Sequence, residues 1–367
     1  MTRSQPSVII AGLAGLLLTC RGPHAAVSRG VLVVDPSRAV AVQAAWVTSE
    51  AADPAPGEDT FLSQLIAPID IAVGPGDSIY VADRGACRIV VYSPNGTPVR
   101  GIGRIGEGPG EFRHLRRLAV EDGGSLWALE DQKLQFLDPS GVPRAAYNGM
   151  NTMGTMCDIG VWHAGGVWVG TELEGYSPRI YRAEQQGGAW GIRSEGAALR
   201  VHTRGLVPSP IIQDLEFSMV RSRHGGFFIL LPCLSKRKPW AALQEYDANG
   251  ALVADYDLQL AGQDVGKMLA PWNDMTFLRT FGPLAADQGS GCGLLCGDVF
   301  VQFDSRSRSL SQPVFLELEE SDNHEFVRVK DVRDAEFDSA GRLNLLLYRD
   351  DGQPLLAQVR EPLMERR

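Results

Sequence analysis

Two stretches of this chain repeat each other at a fixed distance, which restricts the possible folds more than any figure of composition. "IAVGPGDSIYVAD" (Ile71 to Asp83) and "LAVEDGGSLWALE" (Leu118 to Glu130) share an apolar triplet, a polar or glycine turn, and an alternating strand that ends on a carboxylate. Behind each comes a second strand with a turn, "RIVVYSPNGTPVR" (Arg88 to Arg100) and "KLQFLDPSGVPRA" (Lys133 to Ala145). The first pair is offset by 47 residues and the second by 45, so one unit with a two-residue deletion accounts for both. Weaker echoes keep the order. They are "IGVWHAGGVWVGT" with "PRIYRAEQQGG", "FSMVRSRHGGFFILL" with "ALQEYDANGALVADY", "CGDVFVQFDSRSRSLSQPVFLEL", and the closing "VRDAEFDSAGRLNLLLYRDDGQPLLAQVR". That makes about six units of two to four strands each.

The residue types suit strand-turn-strand packing. "SPNG", "DPSG" and "DANG" put Asn, Asp or Gly where tight hairpins need positive φ. Runs such as "FFILL" are apolar on both sides, as in sheets sandwiched between neighbours. Units of this size repeated radially give a β-propeller, which leaves only short, protected edges. The expected fold is therefore all-β, a six-bladed propeller over residues 61–367. Residues 20–60 form an N-terminal segment in which "RGVLVVD" or "AVAVQAAWV" is available to complete the last blade, followed by the Pro-rich, acidic stretch Thr48 to Thr60.

"GIGRIG" (Gly101 to Gly106) fits the dinucleotide pattern G-x-G-x-x-G, but that pattern needs a helix to follow it. Here the chain continues into "EGPGEF", where Gly108, Pro109 and Gly110 oppose a helix. The whole stretch "YVAD…RIVVYSPNGTPVRGIGRIGEGPGEF" is instead similar to the NHL-type repeats of six-bladed propellers, through Tyr80 to Asp83, Arg88 to Tyr92, Gly96 and Gly106 to Phe112. It is most like those of bacterial exported and lipid-anchored members. The resemblance is strong over Ile69 to Asp138 and fades afterwards. It implies that the glycines give backbone freedom at a crowded crossing between blades and that Phe112 anchors the crossing in the groove.

The N-terminus has one cation, Arg3, and an apolar run from Val8 to Leu18, which is too short for a permanent membrane helix and suits a secretory signal. The run ends at "LLTC", which looks like a bacterial lipobox with Thr19 in place of the usual small residue. That resemblance makes residues 1–19 the signal and Cys20 the lipidated first residue. A soluble exported form cleaved near "HAAV" is the alternative. Export places the protein at the cell envelope or periplasm. Without residues 1–19 the chain carries 34 Lys and Arg against 44 Asp and Glu, a balance that argues against nucleic acid as a partner. The basic clusters "FRHLRR" (Phe112 to Arg117) and "SKRKPW" (Ser235 to Trp240) read as solvated loop faces. Apart from Cys20 there are five cysteines, Cys87, Cys157, Cys233, Cys292 and Cys296, an odd number. In "GCGLLCGD" the last two form either a local disulfide in a loop or two buried thiols.

No catalytic motif emerges: there is no H-E-x-x-H or G-x-S-x-G, and the six histidines are scattered. Acidic residues at comparable places in the units, Asp70, Asp83, Glu130, Asp158, Asp214 and Asp334, have two readings. They satisfy backbone amides at turns, or they converge at the channel. Resembling propellers include lactonases and lyases with a central metal, and hard oxygen ligands would suit Ca²⁺. Trp127 and Trp168 lie in apolar strands and are expected in the core, whereas Trp240 and Trp272 stand beside polar loop residues and are candidates for an exposed recognition surface. The sequence therefore favours a non-catalytic binding module for an envelope protein, peptide or glycan, with no cofactor. A metal-dependent hydrolase or lyase is the rival.

Overall fold

The structure is a computed structural model that describes residues 27–48, 64–148, 155–163, 166–172, 179–186, 189–193, 199–200, 218–222, 226–233, 240–261, 284–286, 291–296, 299–319, 326–329, 331–349 and 352–360. Two strands come first, β1 (Ser28–Val34) and β2 (Val40–Val47). The first repeat unit is β3 (Pro68–Val73), β4 (Ile79–Asp83), β5 (Arg88–Tyr92) and β6 (Pro98–Ile102). A crossing with the short pair β7 (Arg104–Ile105) and β8 (Glu111–Phe112) leads to the second unit. That unit is β9 (Leu115–Val120), β10 (Leu126–Glu130), β11 (Lys133–Leu137) and β12 (Pro143–Asn148). The third holds β13 (Thr155–His163), β14 (Gly166–Glu172), β15 (Arg179–Gln186), β16 (Ala189–Arg193) and β17 (Leu199–Arg200). The fourth holds β18 (Ser218–Arg221), β19 (Phe227–Cys233), β20 (Trp240–Tyr246) and β21 (Leu252–Leu260). Next come β22 (Leu284–Ala286), β23 (Gly291–Cys296), β24 (Val299–Asp304), β25 (Ser309–Leu310), β26 (Val314–Glu319) and β27 (Phe326–Arg328). The last unit is β28 (Asp331–Phe337), β29 (Leu343–Tyr348) and β30 (Pro354–Val359).

Within each unit neighbouring strands pair antiparallel, and the described residues contain no α-helix. The first strands β3, β9, β13, β18, β22 and β28 follow one another around a central channel, each against the next, and β28 packs against β3. The chain is thus a β-propeller. Its core lies between units rather than inside them. Along β4, Ile79 and Val81 face Leu346 and Leu356 of the last unit, while Tyr80 and Ala82 face Leu118 and Leu126 of the second. Both sides of a strand are buried, so every residue of "IYVAD" is buried, apolar from Ile79 to Ala82.

The N-terminal stretch is woven into this ring. β2 runs antiparallel to β30 and parallel to β26, joining the last two units into one sheet. From β2, Trp46 donates its indole N–H to the Pro94 carbonyl at 3.1 Å, and a Cβ on Gly96 would lie 2.6 Å from the Trp46 ring. Gly96 also holds φ +82°, so the "SPNG" turn needs glycine for both reasons. β1 lies farther back, parallel to β21, as the outermost strand of the fourth unit.

The glycine-rich crossing behaves as the resemblance implies. Gly103 holds φ +86°, and a Cβ there would lie 2.3 Å from the ring of Phe112, which is fully buried between the first two units. The pair Cys292 and Cys296 falls on strand β23 rather than in a loop, and both thiols point into one core cluster. Four residues apart on a strand, they are separated by roughly 13 Å, past the reach of a disulfide. Of the two readings of "GCGLLCGD", the buried thiols hold, and burial pushes the Cys296 thiol up to about 12.

Candidate binding site at the channel

A first strand has a partner on one side only, so its other edge would turn unpaired N–H and C=O groups to the channel. The sequence meets this with an acceptor at one repeated position. In four units the first strand carries one extra residue, at Ile69, Arg116, Cys157 and Arg333, opposite no partner on the second strand. A bulge of this kind re-aims the side chain that follows it. Those side chains are Asp70, Arg117, Asp158 and Asp334.

Each aspartate reaches the next unit. Asp334 accepts from Ile71 N–H at 2.7 Å, Asp70 from Leu118 N–H at 2.6 Å, and Asp158 from Met219 N–H at 2.5 Å. In the fourth unit the Ser218 hydroxyl oxygen accepts from Leu284 N–H at 2.9 Å. The second unit breaks the series, since the Arg117 side chain has no acceptor. The amide that would have used it, Ile159 N–H, donates instead to Asp158 Oδ1 at 2.8 Å. The freed guanidinium turns into the cluster, with Arg117 Nε 3.6 Å from Asp70 Oδ1 and 3.6 Å from Asp158 Oδ1.

Three buried carboxyls therefore share this one arginine. Burial is the main force holding the Asp70 carboxyl well above the usual carboxylate range; Asp334 adds to it and Arg117 opposes it. Asp334 is raised for the same first reason and hydrogen-bonds Asp70, so the two titrate as a pair. Burial pushes Asp158 up to about 7 against the pull of Arg117. The cluster lines a cavity of about 380 Å³, a size that suits small ligands or the tip of a larger one. Toward the other mouth the lining includes Glu336 and the pair Arg221 Nη1–Asp122 Oδ2, 3.7 Å apart.

A hard cation would need free oxygens turned to one point. Here Asp70 and Asp158 flank a guanidinium, and each of the three aspartates spends an oxygen on a neighbouring amide. Among the described residues no group of His, Cys, Asp or Glu is arranged to hold a metal ion. The cluster does not fit Ca²⁺.

The sequence candidates separate accordingly. Asp70, Asp158 and Asp334 meet at the channel. Asp83 and Glu130 end the second strands and hold loop amides: Asp83 accepts from Ile66, Ala67 and Ala86, and Glu130 from Arg113 and His114. Asp214, Trp272 and Cys20 lie outside the described residues. Trp240 opens β20 opposite Cys233, at the end of its unit that corresponds to the aspartate mouth. Trp127 and Trp168 are core residues, as their strands suggest. Within "FRHLRR", Arg113 pairs with Glu107 at 2.9 Å and Arg116 with Asp131 at 3.0 Å, but Arg117 belongs to the channel and not to a solvated face. The signal for it was available, because the 47-residue offset that aligns the first two units carries position 70 onto 117.

Residues 65–92 match the NHL repeat family. Among curated protein sequences none matches the chain. Among solved structures it is similar to a virginiamycin B lyase from Staphylococcus aureus (11% identity, 81% of this chain and 96% of that one, TM-score 0.47). It is also similar to a calcium-binding regucalcin from Agrobacterium tumefaciens (13% identity, 89% and 99%, TM-score 0.49) and to the WD40 repeats of RRP9 (11% identity, 81% and 96%, TM-score 0.50). At 11% identity the likeness to the RRP9 repeats is one of fold alone.

Proposed function

We propose that this six-bladed propeller is a non-catalytic binding module, exported and lipid-anchored through Cys20, that docks a protein, peptide or glycan of the cell envelope at its aspartate mouth. One observation carries the reading. The channel carboxyls are committed to the amides of neighbouring units and to Arg117, which makes them a rigid polar floor rather than a set of groups free to hold an ion. Trp240 and Trp272 serve as aromatic anchors for the partner. The "LLTC" sequence supports the anchor, and the acidic balance speaks against a nucleic-acid partner.

The test is the metal content of the purified chain from Cys20 onward, with melting curves in EDTA and a panel of lactones and esters. The expected result is no stoichiometric ion, a melting temperature unmoved by chelation, and no turnover. An ion whose removal lowers the melting temperature, together with turnover, would replace this reading with that of a metal-dependent hydrolase.

A further inference from the structure

β1 is built as a surface strand of unusual composition. Leu32 and Val34 point inward and join the core beside Tyr256 and Leu258, while Val31 and Val33 point outward and are about half exposed, at 53% and 52%. Val253 of the neighbouring β21 is exposed as well, and Arg29 stands in line with the two valines. β1 is the last strand of its sheet, so its far edge has no strand paired to it among the described residues. A free edge with alternating β-branched residues is a surface that proteins normally cover.

The chain itself indicates what covers it. From Cys20 to Ser28 there are only eight residue steps, a reach of at most about 29 Å even when fully extended. An acyl anchor at Cys20 therefore keeps this rim close to the lipid, and a short tether raises the effective concentration of even a weak contact. Valines add apolar area at the interface, and a cation such as Arg29 is drawn to anionic headgroups.

We infer that the rim strand β1, through Val31, Val33 and Val253 with Arg29, lies against the membrane that holds the Cys20 anchor. The propeller then stands on edge and leaves the aspartate mouth open to solvent. This rests on the lipid-anchor reading above. The first unit, three places around the ring from the fourth in either direction, points away from the bilayer. It supplies a matched control in Val99 of β6, which is 59% exposed.

The experiment places a genetically encoded fluorescent amino acid at Val33 or at Val99 of the full-length, membrane-extracted protein. Each is reconstituted into vesicles of phosphatidylethanolamine and phosphatidylglycerol carrying nitroxide headgroup lipid. Quenching at position 33 is expected to exceed that at 99 by about threefold or more. The double variant V31D/V33D should lose that excess while keeping its acyl mass and its melting temperature. Equal quenching at both positions, with the acyl group confirmed by the mass of the N-terminal peptide, would overturn the orientation and leave the anchor intact. An unmodified N-terminal peptide would overturn both. A concentration-dependent dimer of the Cys20→Ala chain that V31D/V33D abolishes would assign the rim to a second copy of the protein instead.

Discussion

The repeat carries two acidic stations that serve the same local purpose and differ in everything around them. Asp83 and Glu130 sit 47 residues apart at the ends of second strands, each fixing the segment that enters its own unit. Each has its own cation: Arg88 Nε lies 3.8 Å from Asp83, and Lys133 Nζ lies 2.7 Å from Glu130. Asp70, Asp158 and Asp334 also hold amides, but of the next unit, and the ring brings them together around Arg117. The outer station is a set of separate fasteners, whereas the inner one is a coupled cluster whose charge depends on pH. An acceptor for an edge amide costs little when isolated. Gathered around one axis, the same residues become a polar cavity that a ligand can use.

The contrast breaks most visibly at the outer station. Asp83→Ala leaves the N–H groups of Ile66, Ala67 and Ala86 without their carboxylate and Arg88 without its counter-charge. With the carboxylate fully buried, the expected loss is about 3–5 kcal/mol in urea unfolding. A loss under about 1 kcal/mol would mean that these amides find other acceptors, and that the station is not a fastener.

At the inner station the effect is smaller and depends on pH. Arg117→Met removes the guanidinium that offsets Asp70 and Asp158. Arg117 is mostly buried, so the expected cost is about 2–4 kcal/mol at pH 8, where the aspartates are most ionised, and clearly less at pH 5, where protons replace it. Equal losses at the two pH values would show that Arg117 acts by packing alone.

The fold was legible in the sequence where local chemistry repeats, and the site was not, because it is assembled across the ring. The 47- and 45-residue offsets, the "SPNG" and "DPSG" turns and the crossing glycines all report contacts within one unit or to its neighbour. The convergence of Asp70, Asp158 and Asp334 spans the whole chain, and spacing alone cannot separate it from the fastening role of Asp83. Arg117 was hidden by its company, since two neighbouring arginines and a histidine made it look like part of a solvated face. Spacing alone left the Cys292–Cys296 segment open between a loop disulfide and two buried thiols, and strand β23 settles it for the thiols. Gly293 is in fact required inside a strand, since a Cβ there would lie 2.7 Å from the ring of Phe337.

The smallest and sharpest test separates charge from hydrogen bonding at the inner station. Burial raises the channel carboxyls, Asp158 to about 7, and repulsion from neighbouring carboxylates adds to it at Asp70 and Asp158. In the unfolded chain such groups ionise near pH 4. Between these values the folded state holds more protons than the unfolded one, so stability falls as pH rises. The contribution is fully present below about pH 4 and is lost as pH climbs through the raised values. Asp70→Asn mimics the protonated form. Its carbonyl oxygen can still accept from Leu118 N–H, and its amide can donate to Asp334. The variant should lose the part of the slope that the Asp70–Asp334 pair supplies. It should match the native chain near pH 5 and exceed it at pH 8 by about 1 kcal/mol, read from urea midpoints at each pH. A variant that declines as steeply as the native chain would place the shared proton elsewhere, and the inner aspartates would then differ from the outer ones in position only.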